Sequence, residues 1–475
     1  MIFNLEDQKK EKMRCALLSL FAMLLLLKST SHAQSWEQLG IGSNALKANN
    51  AISALCFDKS NGALYAGGQF TNGGSSATGY KYIAKWNGNN WEELGVAENA
   101  LRATGNTNAI CVDASHNVYT VGKIDTSGKF CVMKWNGVSW SELGTGINAL
   151  GANNIIKTIC ADAVGNIYAA GMFTNGSGKC FVAKWDGVTW AELGSGTNAL
   201  NANDWIHSIM SDQFGNIYAA GSFTKSGYVY VAKWDGMTWE RVGGGSNPLN
   251  ISGAGVAVNS IYVDGSGSIY AGGAFLNSGG NQFVTKWNGS TWSELGSGTN
   301  ALKATTNIET ITGNHLGHIF AAGIRSTTGS YFVSKWNGVF WQEVGSGSAA
   351  LDANEDIYSI CTDSSGAIYA AGEFSDGSLH TEGFKYVAKF NIPNAIFEHE
   401  GIVKHRIYPS PANTNINVET GMDYCRYSIC DYLGNTVLDG YSILPNFTVD
   451  ISHFSPGLYF LKIEQSSRIL SFIKL

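Results

Sequence analysis

The chain has 475 residues, of which 58 are glycine, 6 are proline and 14% are charged. There is no Gly-X-Y period, and 44% hydrophobic residues are too many for a disordered chain. With 31 basic against 37 acidic side chains, the sequence lacks the basic footprint of a nucleic-acid-binding protein. We therefore expect a glycine-rich globular protein without a nucleic-acid partner.

The first 33 residues have the layout of a secretory signal peptide. A basic segment ends at Arg14, an apolar run extends from Cys15 to Leu27, and Ser31-His32-Ala33 offers the small residues that signal peptidase reads. The run is shorter than the roughly 20 residues that span a bilayer, so we predict cleavage and no transmembrane segment. The alternative is a buried N-terminal helix. Either Met1 or Met13 is the start.

A repeat of about 50 residues fills the middle of the chain. Its mark is the phrase Trp-Asn/Asp-Gly-x-x-Trp, which recurs at steps of 49, 50, 49, 53 and 49 residues. The copies are Trp86/Trp91, Trp135/Trp140, Trp185/Trp190, Trp234/Trp239, Trp287/Trp292 and Trp336/Trp341. Counting Trp36, 13 of the 14 tryptophans follow this pattern, and only Trp205 does not.

Each period predicts four short strands, because aromatic and β-branched residues alternate between turn residues. In one period the strands are Ile155–Asp162, Ile167–Gly171, Phe181–Trp185 and Trp190–Gly194. From the glycine that ends a fourth strand to the polar residue that ends the next first strand there are 18 residues in six of seven cases. Such constancy indicates identical units, each covering the apolar face of its neighbour.

A four-stranded unit of this length is typical of a β-propeller blade. Strands two and three occur seven times, but only six are followed by a fourth strand. The missing copy stands at the mature N-terminus, as Trp36-Glu37-Gln38-Leu39-Gly40. We therefore predict an all-β protein with a monomeric, seven-bladed β-propeller over residues 34–391, closed by pairing of this N-terminal strand with the seventh blade.

The blades resemble kelch repeats. The resemblance rests on a tyrosine followed by small residues and glycine, as in Tyr65-Ala66-Gly67-Gly68 and Tyr270-Ala271-Gly272-Gly273, and on the tryptophan that opens strand four. It covers residues 36–391, but only the first and fifth blades carry the double glycine. The resemblance implies an architecture and no particular function.

After a predicted linker over residues 392–404, a different pattern runs from residue 405 to residue 475. Alternating apolar residues with turns at Leu433-Gly434-Asn435 and Pro456-Gly457 predict a small antiparallel β-sandwich. Its recognisable motif residues are Tyr408, Pro409, Pro411, Asp431, Gly434, Gly457, Tyr459 and Lys474.

These motifs resemble the type A sorting domain of the type IX secretion system of Bacteroidetes, with Ser410 in place of the commoner asparagine. The resemblance implies that the type IX machinery and its sortase are partners. It also implies that the domain carries the passenger across the outer membrane and is then usually removed. We therefore expect a secreted or cell-surface protein. The alternative is a generic accessory β-sandwich.

No pattern in the sequence indicates a catalytic centre, a metal site or a cofactor. The acid that ends strand one fits a cap on its own turn better than a Ca²⁺ ligand, since Ca²⁺ needs six or more oxygens. His315 and His318 have no third ligand nearby in the sequence. The repeated cysteines share their column with methionine, tyrosine and threonine, which is typical of a packing position, and we expect no disulfide framework.

Three functions remain, and we predict the first. They are a surface-displayed module that binds a glycan or a protein, a structural or adhesive display protein, and a carbohydrate-active enzyme. The first two can be distinguished by structure, because a binding module would break the repeat symmetry with exposed aromatic residues on one face.

We predict that the ligand binds at two long loops between strands two and three. These loops, Thr71–Tyr80 and Ser375–Phe384, lie in the first and seventh blades, which ring closure would make neighbours. They supply the candidate binding residues Tyr80, Asp376, His380 and Glu382. Binding sites favour loops on a rigid scaffold, but the alternative is that terminal blades tolerate longer loops.

Overall fold

The computed structural model describes residues 35–72, 79–124, 128–244, 249, 251, 253, 255–302, 304–324, 331–345, 349–351, 353–375, 385–391, 406–420, 425–431, 435–442, 446–463 and 469–475. The predicted signal peptide and linker lie outside these residues. The chain divides into two compact units, Met1–Ile392 and Pro393–Leu475. Across the described ranges, no helix is long and apolar enough to cross a membrane.

The described residues of the first unit form seven four-stranded antiparallel sheets, which we number 1 to 7 along the chain. The first strands are Ile52–Phe57, Thr107–Val112, Ile156–Ala161, Ile206–Ser211, Ala257–Val263, Thr310–Gly313 and Ile357–Thr362. The second strands are Leu64–Gly68, Val118–Lys123, Ile167–Gly171, Ile217–Gly221, Ile269–Ala274, Ile319–Ile324 and Ile368–Gly372. The third strands are Ala84–Trp86, Phe130–Trp135, Ala183–Trp185, Ala232–Trp234, Thr285–Trp287, Tyr331–Trp336 and Ala388–Phe390. The fourth strands are Trp91–Glu93, Trp140–Glu142, Trp190–Glu192, Trp239–Arg241, Trp292–Glu294, Trp341–Glu343 and, for sheet 7, Trp36–Gln38.

These sheets resemble propeller blades, and each is open, with the first and fourth strands as its edges. A small hairpin, Thr224–Lys225 with Tyr228–Val229, extends sheet 4. Single 3-10 turns follow five of the fourth strands, at Gly42–Asn44, Ala97–Asn99, Gly146–Asn148, Gly196–Asn198 and Gly298–Asn300. We call the side where first and third strands begin the loop face, and the opposite side the turn face.

The N-terminal strand is the fourth strand of sheet 7. Trp36 lies opposite Phe390, and Gln38 lies opposite Ala388. Sheet 7 also packs against sheet 1, because the Leu55 amide donates to Ser359 Oγ at 3.0 Å. Residues of both sheets share one buried cluster, which includes Ile52 and Tyr369. The two ends of the repeat array are therefore in direct contact.

One hydrogen bond joins the outer strands of neighbouring sheets. In each sheet the indole of the fourth-strand tryptophan donates to a backbone carbonyl just beyond the fourth strand of the preceding sheet. The pairs are Trp36–Val344, Trp91–Leu39, Trp140–Leu94, Trp190–Leu143, Trp239–Leu193, Trp292–Val242 and Trp341–Leu295, at 2.7–3.3 Å. Sheet 7 is thus bonded both to sheet 6 and to sheet 1.

The glycine that follows each fourth strand is required by close packing. At Gly40 the backbone has a φ of 82°, and a side chain there would collide with the carbonyl of Asn44 and the ring of Trp86. Any other residue would be strained and would push the neighbouring sheet away.

The acid that ends strand one caps its own turn, as predicted. In sheet 3, Asp162 Oδ1 accepts the backbone N–H groups of Val164 at 3.0 Å and Asn166 at 2.9 Å. Its Oδ2 accepts the hydroxyl of Tyr168 at 3.0 Å, and the Lys184 ammonium lies 5.8 Å from the centre of that tyrosine ring. The same acid–tyrosine bond occurs at Tyr119, Tyr218, Tyr270 and Tyr369.

Sheet 1 replaces this bond with a contact to sheet 2. Asp58 Oδ2 lies 2.8 Å from Nδ1 of His116, which belongs to the turn of sheet 2. His116 has a φ of 64°, in a position where the other six turns carry glycine. The contact offsets the backbone strain that a side chain meets in this conformation.

The cysteines of the repeat column behave as packing residues. Cys111 is buried, and Cys56, Cys160 and Cys361 are half-buried. Burial raises the pKa of the Cys56 thiol to about 12, which keeps it protonated and unreactive. Seven cysteines among the described residues are free thiols.

The second unit contains two sheets around one core. One has the strands Arg406–Tyr408, Asn415–Glu419 and Asn446–Asp450, and the other has Thr436–Ser442, Cys425–Asp431, Gly457–Ile463 and Ile469–Lys474. Both contribute buried side chains to the same cluster, including Ile416 and Val418 from the first sheet and Leu461 and Phe472 from the second.

The contacts of Trp36 predict that it anchors the two ends of the first unit. We expect Trp36→Ala to lower the free energy of unfolding by about 3 kcal/mol, because packing and an inter-sheet hydrogen bond are lost together. Deletion of 35–40 should destabilise more. The control is Trp205→Ala, which removes an exposed indole and should cost about 0.5 kcal/mol or less. Equal melting temperatures for wild type and Trp36→Ala would show that the N-terminal strand anchors nothing.

Candidate functional site

A β-bulge recurs near the start of the first strand, at the loop face. In six sheets the strand-one register shifts by one residue immediately after a fully buried position, for example between Ile52 and Ala54. Bulges re-aim a side chain and are frequent beside functional sites. The re-aimed residues, with Glu309 at the equivalent place in sheet 6, are Ser53, Asn108, Lys157, His207, Asn259, Glu309 and Tyr358.

This column is polar in every sheet, although the residue before it is buried in every sheet and apolar in all but sheet 2. Asn108 and Asn259 reach the next sheet, where they donate to the carbonyls of Ile156 at 2.9 Å and Ile308 at 3.2 Å. The first strands of neighbouring sheets contact one another, so the column places one polar side chain per sheet at the loop face. Side chains far apart in sequence are thereby brought together.

A cavity of about 190 Å³ lies at the loop face, between sheets 6 and 7. At about 30 Å³ per water it has room for roughly six water molecules, or for one ring-sized group. Its walls are Thr306, Asn307, Glu309, Gly323, Tyr331, Asp356 and Ile357. Beside it, the Tyr358 hydroxyl donates to Glu373 Oε2 at 2.8 Å.

The carboxylates of the cavity are held in an unfavourable environment. Burial raises the pKa of Glu309, and the charge of Asp356 raises it further. Burial also raises the pKa of Asp356, with added repulsion from Glu355 and Glu373. Such shifts mean that the ionised groups lack sufficient compensation from the protein, which is common at functional sites.

Two members of the column, on sheets 3 and 4, are basic. Lys157 of sheet 3 is exposed, and its charge counters the rise in the pKa of Glu309 in sheet 6. Burial lowers the pKa of His207 in sheet 4, and Lys157 lowers it further. His207 Nε2 lies 2.9 Å from Ser222 Oγ.

Trp205, the one tryptophan outside the repeat pattern, is 46% exposed at the loop face. We call the part of the loop face where the first strands begin the mouth. Trp205 directly precedes the first strand of sheet 4, and its ring centre lies 6.1 Å from that of His207. A binding module is expected to break the repeat symmetry with exposed aromatic residues on one face. Trp205 is an exposed aromatic residue at the loop face, and Phe214 is a second one at the turn face of the same sheet.

Of the loop residues predicted to bind ligand, Tyr80 lies within the described ranges. It is 45% exposed, and its backbone N–H donates to Asn72 Oδ1 at 3.2 Å. Asp376, His380 and Glu382 lie outside the described residues. The bases of both loops are at the loop face, where Lys81 bridges Ala103 and Lys385 bridges Ala48. This prediction remains untested.

The sorting-motif residues have mainly structural contacts. The Tyr408 hydroxyl donates to Glu419 at 2.7 Å, and the buried Tyr459 donates to the carbonyl of Ser455 at 2.8 Å. Asp431 caps its turn through Asn435, as the equivalent acids do in the first unit. Pro409 and Pro411 follow cis peptide bonds, Gly457 begins a strand, and Lys474 is buried. Gly434 lies outside the described residues.

Comparison with protein families assigns the second unit. Residues 406–474 match the family described as the secretion system C-terminal sorting domain. The second unit is thus similar to a sorting domain. This similarity implies export by the type IX secretion system to the cell surface or the medium, in agreement with the resemblance seen in the sequence. No curated protein matches the chain.

Three solved structures show the level of similarity of the fold. PorZ of Porphyromonas gingivalis, a surface component of the type IX secretion system, is 15% identical with a TM-score of 0.47, over 90% of this chain and 59% of PorZ. The extracellular domain of BT3049 of B. thetaiotaomicron is 13% identical with a TM-score of 0.49, over 93% of this chain and 57% of that one. The Aleuria aurantia lectin is 14% identical with a TM-score of 0.39, over 64% of this chain and 96% of the lectin. The chain thus spans less than two thirds of PorZ and BT3049, and similarity at these TM-scores carries no argument about function.

The shifted pKa values predict opposite pH effects at two aspartates. The pKa of Asp356 is raised above its ordinary value of 3.8, so its ionisation costs stability as the pH rises through the folded-state pKa. We expect Asp356→Asn to raise the melting temperature at pH 7 and to have no effect well below pH 3.8.

Asp58 is the matched control. Burial alone would raise the pKa of Asp58, but hydrogen bonds from Ser60 and His116 lower this pKa below 3.8. The contribution of Asp58 to stability is therefore present above pH 3.8 and is lost as the pH falls through the folded-state pKa. Asp58→Asn should therefore lower the melting temperature at pH 7. Thermal melts from pH 2.5 to 8 test both, and shifts of the same sign would contradict the assignment.

Proposed function

We propose that the protein is a closed, kelch-like seven-bladed β-propeller that is exported by the type IX system and binds a glycan or a protein at its loop face. Binding without chemical transformation is the role proposed. The proposal rests on a break in repeat symmetry at the column of re-aimed residues, which we call the bulge column. Trp205 and a polar cavity lie at the mouth beside this column, whereas the outer strands repeat regularly.

Ring closure is supported by contacts at the junction of the first and last sheets. The Trp36 indole bonds to sheet 6 at Val344, and the Trp91 indole bonds to the N-terminal segment at Leu39. The first strands of sheets 1 and 7 also pack against each other, as the first strands of the other neighbouring sheets do. Closure would hold all seven bulge-column residues at fixed distances.

The composition of the mouth supports binding rather than display alone. Exposed aromatic side chains supply contact area at low entropic cost, and carboxylates accept hydrogen bonds from hydroxyl or amino groups of a ligand. Tyr80, Asp376, His380 and Glu382 are proposed to extend the contact at the rim. The carboxylates of Glu309 and Asp356 cost stability, which is the usual consequence of building a site for a partner.

Capture of a surface polymer tests the binding role. We expect the mature chain to bind fractions on a glycan array or a panel of cell-surface polymers, and Trp205→Ala to weaken binding by tenfold or more, as for an interfacial aromatic anchor. The matched control is Phe214→Ala, which removes a 73% exposed ring from the turn face of the same sheet and should leave binding unchanged.

A second pair of variants tests the rim. Both long loops are shortened to the length of Thr174–Lys179 in sheet 3, and capture is measured beside thermal stability. Retained capture with retained stability would remove the four loop residues from the site. Equal capture by wild type and Trp205→Ala would exclude the mouth as the binding site. No capture of any fraction would favour a structural or adhesive role.

Export tests the role of the second unit. We expect deletion of 404–475 to leave a folded first unit in the periplasm of a type IX-competent host, because the segment that matches the sorting domain is then absent. Fractionation of the cells, with the full-length chain as control and a thermal melt of the periplasmic protein, measures this. Arrival of the truncated chain at the cell surface would contradict the proposed route.

A further inference from the structure

Four sheets carry the same side-chain bond at the loop face, between the end of the fourth strand and the loop that joins strands two and three. The fourth strand ends in a glutamate, which accepts from an asparagine or a lysine of the loop. The pairs are Asn72–Glu93, Lys129–Glu142, Asn175–Glu192 and Asn277–Glu294, at 2.8–3.3 Å. Each pair joins one donor to one acceptor within the sheet.

Sheet 4 carries two cations at the same place. By strand register, Arg241 has the position that Glu192 has in sheet 3. Lys225 follows the last glycine of its second strand by the same number of residues as Asn175 does in sheet 3. Two donors therefore stand where these four sheets join a donor to an acceptor. Among the described residues, neither cation has an ion pair within 4.0 Å.

The contacts of the small hairpin place both cations on one surface. Lys225 is the cross-strand partner of Tyr228, so their side chains lie on the same face. Tyr230 follows two residues later on that face, and the guanidinium carbon of Arg241 lies 5.8 Å from the centre of its ring. Arg241 Nη2 also donates to the carbonyl of Leu249 at 3.0 Å. Tyr228 itself is 38% exposed.

The fold supplies the Arg241 guanidinium with too few acceptors. Its Nε is buried and has no hydrogen-bond partner among the described residues. Buried N–H groups without a partner are costly and rare in native structures. A guanidinium carries five N–H donors, and the described contacts use one of them, to Leu249. An acceptor is therefore missing at the position where sheet 3 has Glu192.

The acid next to Arg241 does not offset these charges. Glu240 precedes it, but successive residues of a strand point to opposite faces, and Glu240 lies opposite Lys233. The whole chain has a net charge of −6. The molecule as a whole therefore repels polyanions, and their capture requires a local cationic site.

We propose that Lys225, Tyr228 and Arg241 form a binding site for an anionic group, either a carboxylate or a sulfate or phosphate ester. The anion accepts from the guanidinium and the ammonium, which restores the donor–acceptor pairing of the other sheets. Guanidinium groups bind carboxylates and phosphates through directed, charge-assisted hydrogen bonds. The exposed ring of Tyr228 covers the carbon atoms that carry the anion. The inference goes beyond the proposed function, because this site is built from other residues than the mouth and stands without it.

Binding of the mature chain to three immobilised polymers tests the site. Dextran sulfate carries sulfate esters, polygalacturonate carries carboxylates, and dextran carries no charge. We expect at least one of the two polyanions to bind at least tenfold more tightly than dextran, with an affinity that falls as salt is added. Preference for one polyanion identifies the anionic group, and equal binding of both shows that the site recognises charge alone.

The double variant Lys225→Asn/Arg241→Glu gives sheet 4 the pair that sheet 3 has. It should reduce polyanion binding to the level of dextran, and it should keep or raise the melting temperature, because a hydrogen-bonded pair replaces two like charges. The control is Lys59→Asn/Arg102→Glu, which makes the same change in net charge at exposed positions outside sheet 4. The control should change polyanion binding less than twofold.

The inference is wrong if the wild type binds neither polyanion more tightly than dextran, or if the folded double variant binds as tightly as the wild type. An equal loss in the control would also overturn it, because binding would then follow net charge and not this site. The single variant Arg241→Gln, which removes one charge and should weaken binding at least threefold, keeps the test decisive if the double variant does not fold.

Discussion

The indole–carbonyl hydrogen bond between neighbouring sheets is the contact on which the first unit depends. Most third strands and all fourth strands have only three residues, and a strand pair of that size is not stable alone. Each sheet must therefore cover its neighbour, as in other repeat architectures. The tryptophan fills the space between outer strands, and its N–H fixes the spacing to the next sheet. The glycine after the fourth strand follows from the same packing, because at five of these positions the neighbouring ring leaves no room for a side chain. They are Gly40, Gly95, Gly144, Gly194 and Gly296.

Regular packing of the outer strands leaves the inner strands free to vary at one position. The bulge column is polar in all seven sheets, yet its members differ in charge and size, from Ser53 to Lys157 and Tyr358. A residue pushed out of register by a bulge makes no ladder pair, so its identity has little effect on the sheet. The scaffold can therefore carry charges such as Glu309 and Asp356 although they lower its stability. Residues that lower stability are expected at functional sites, and these two lie at the mouth.

The two units divide the functions of the chain. The second unit matches a sorting domain and has its own core, formed by side chains from both of its sheets. Its motif residues are occupied with strand starts, turn caps and local hydrogen bonds, so much of the motif maintains the fold of the domain. The first unit holds the candidate binding site. The sorting-domain match and the proposed binding site thus rest on separate cores, which permits each to be altered without the other.

The sequence by itself determined the local elements of this protein. The spacing of the tryptophans predicted the four-stranded units, the acids at the ends of first strands predicted the turn caps, and the lone Trp-Glu-Gln segment predicted the extra fourth strand, since each depends on residues close in sequence or on strict periodicity. The mouth was decided by tertiary structure alone. Lys157 and Glu309 are unremarkable in sequence, and which residue of a first strand turns toward the opening depends on a bulge and on the position of the sheet in the array. A grouping of residues from different sheets leaves no periodic signal, although the polar column and the isolated Trp205 were visible in the sequence.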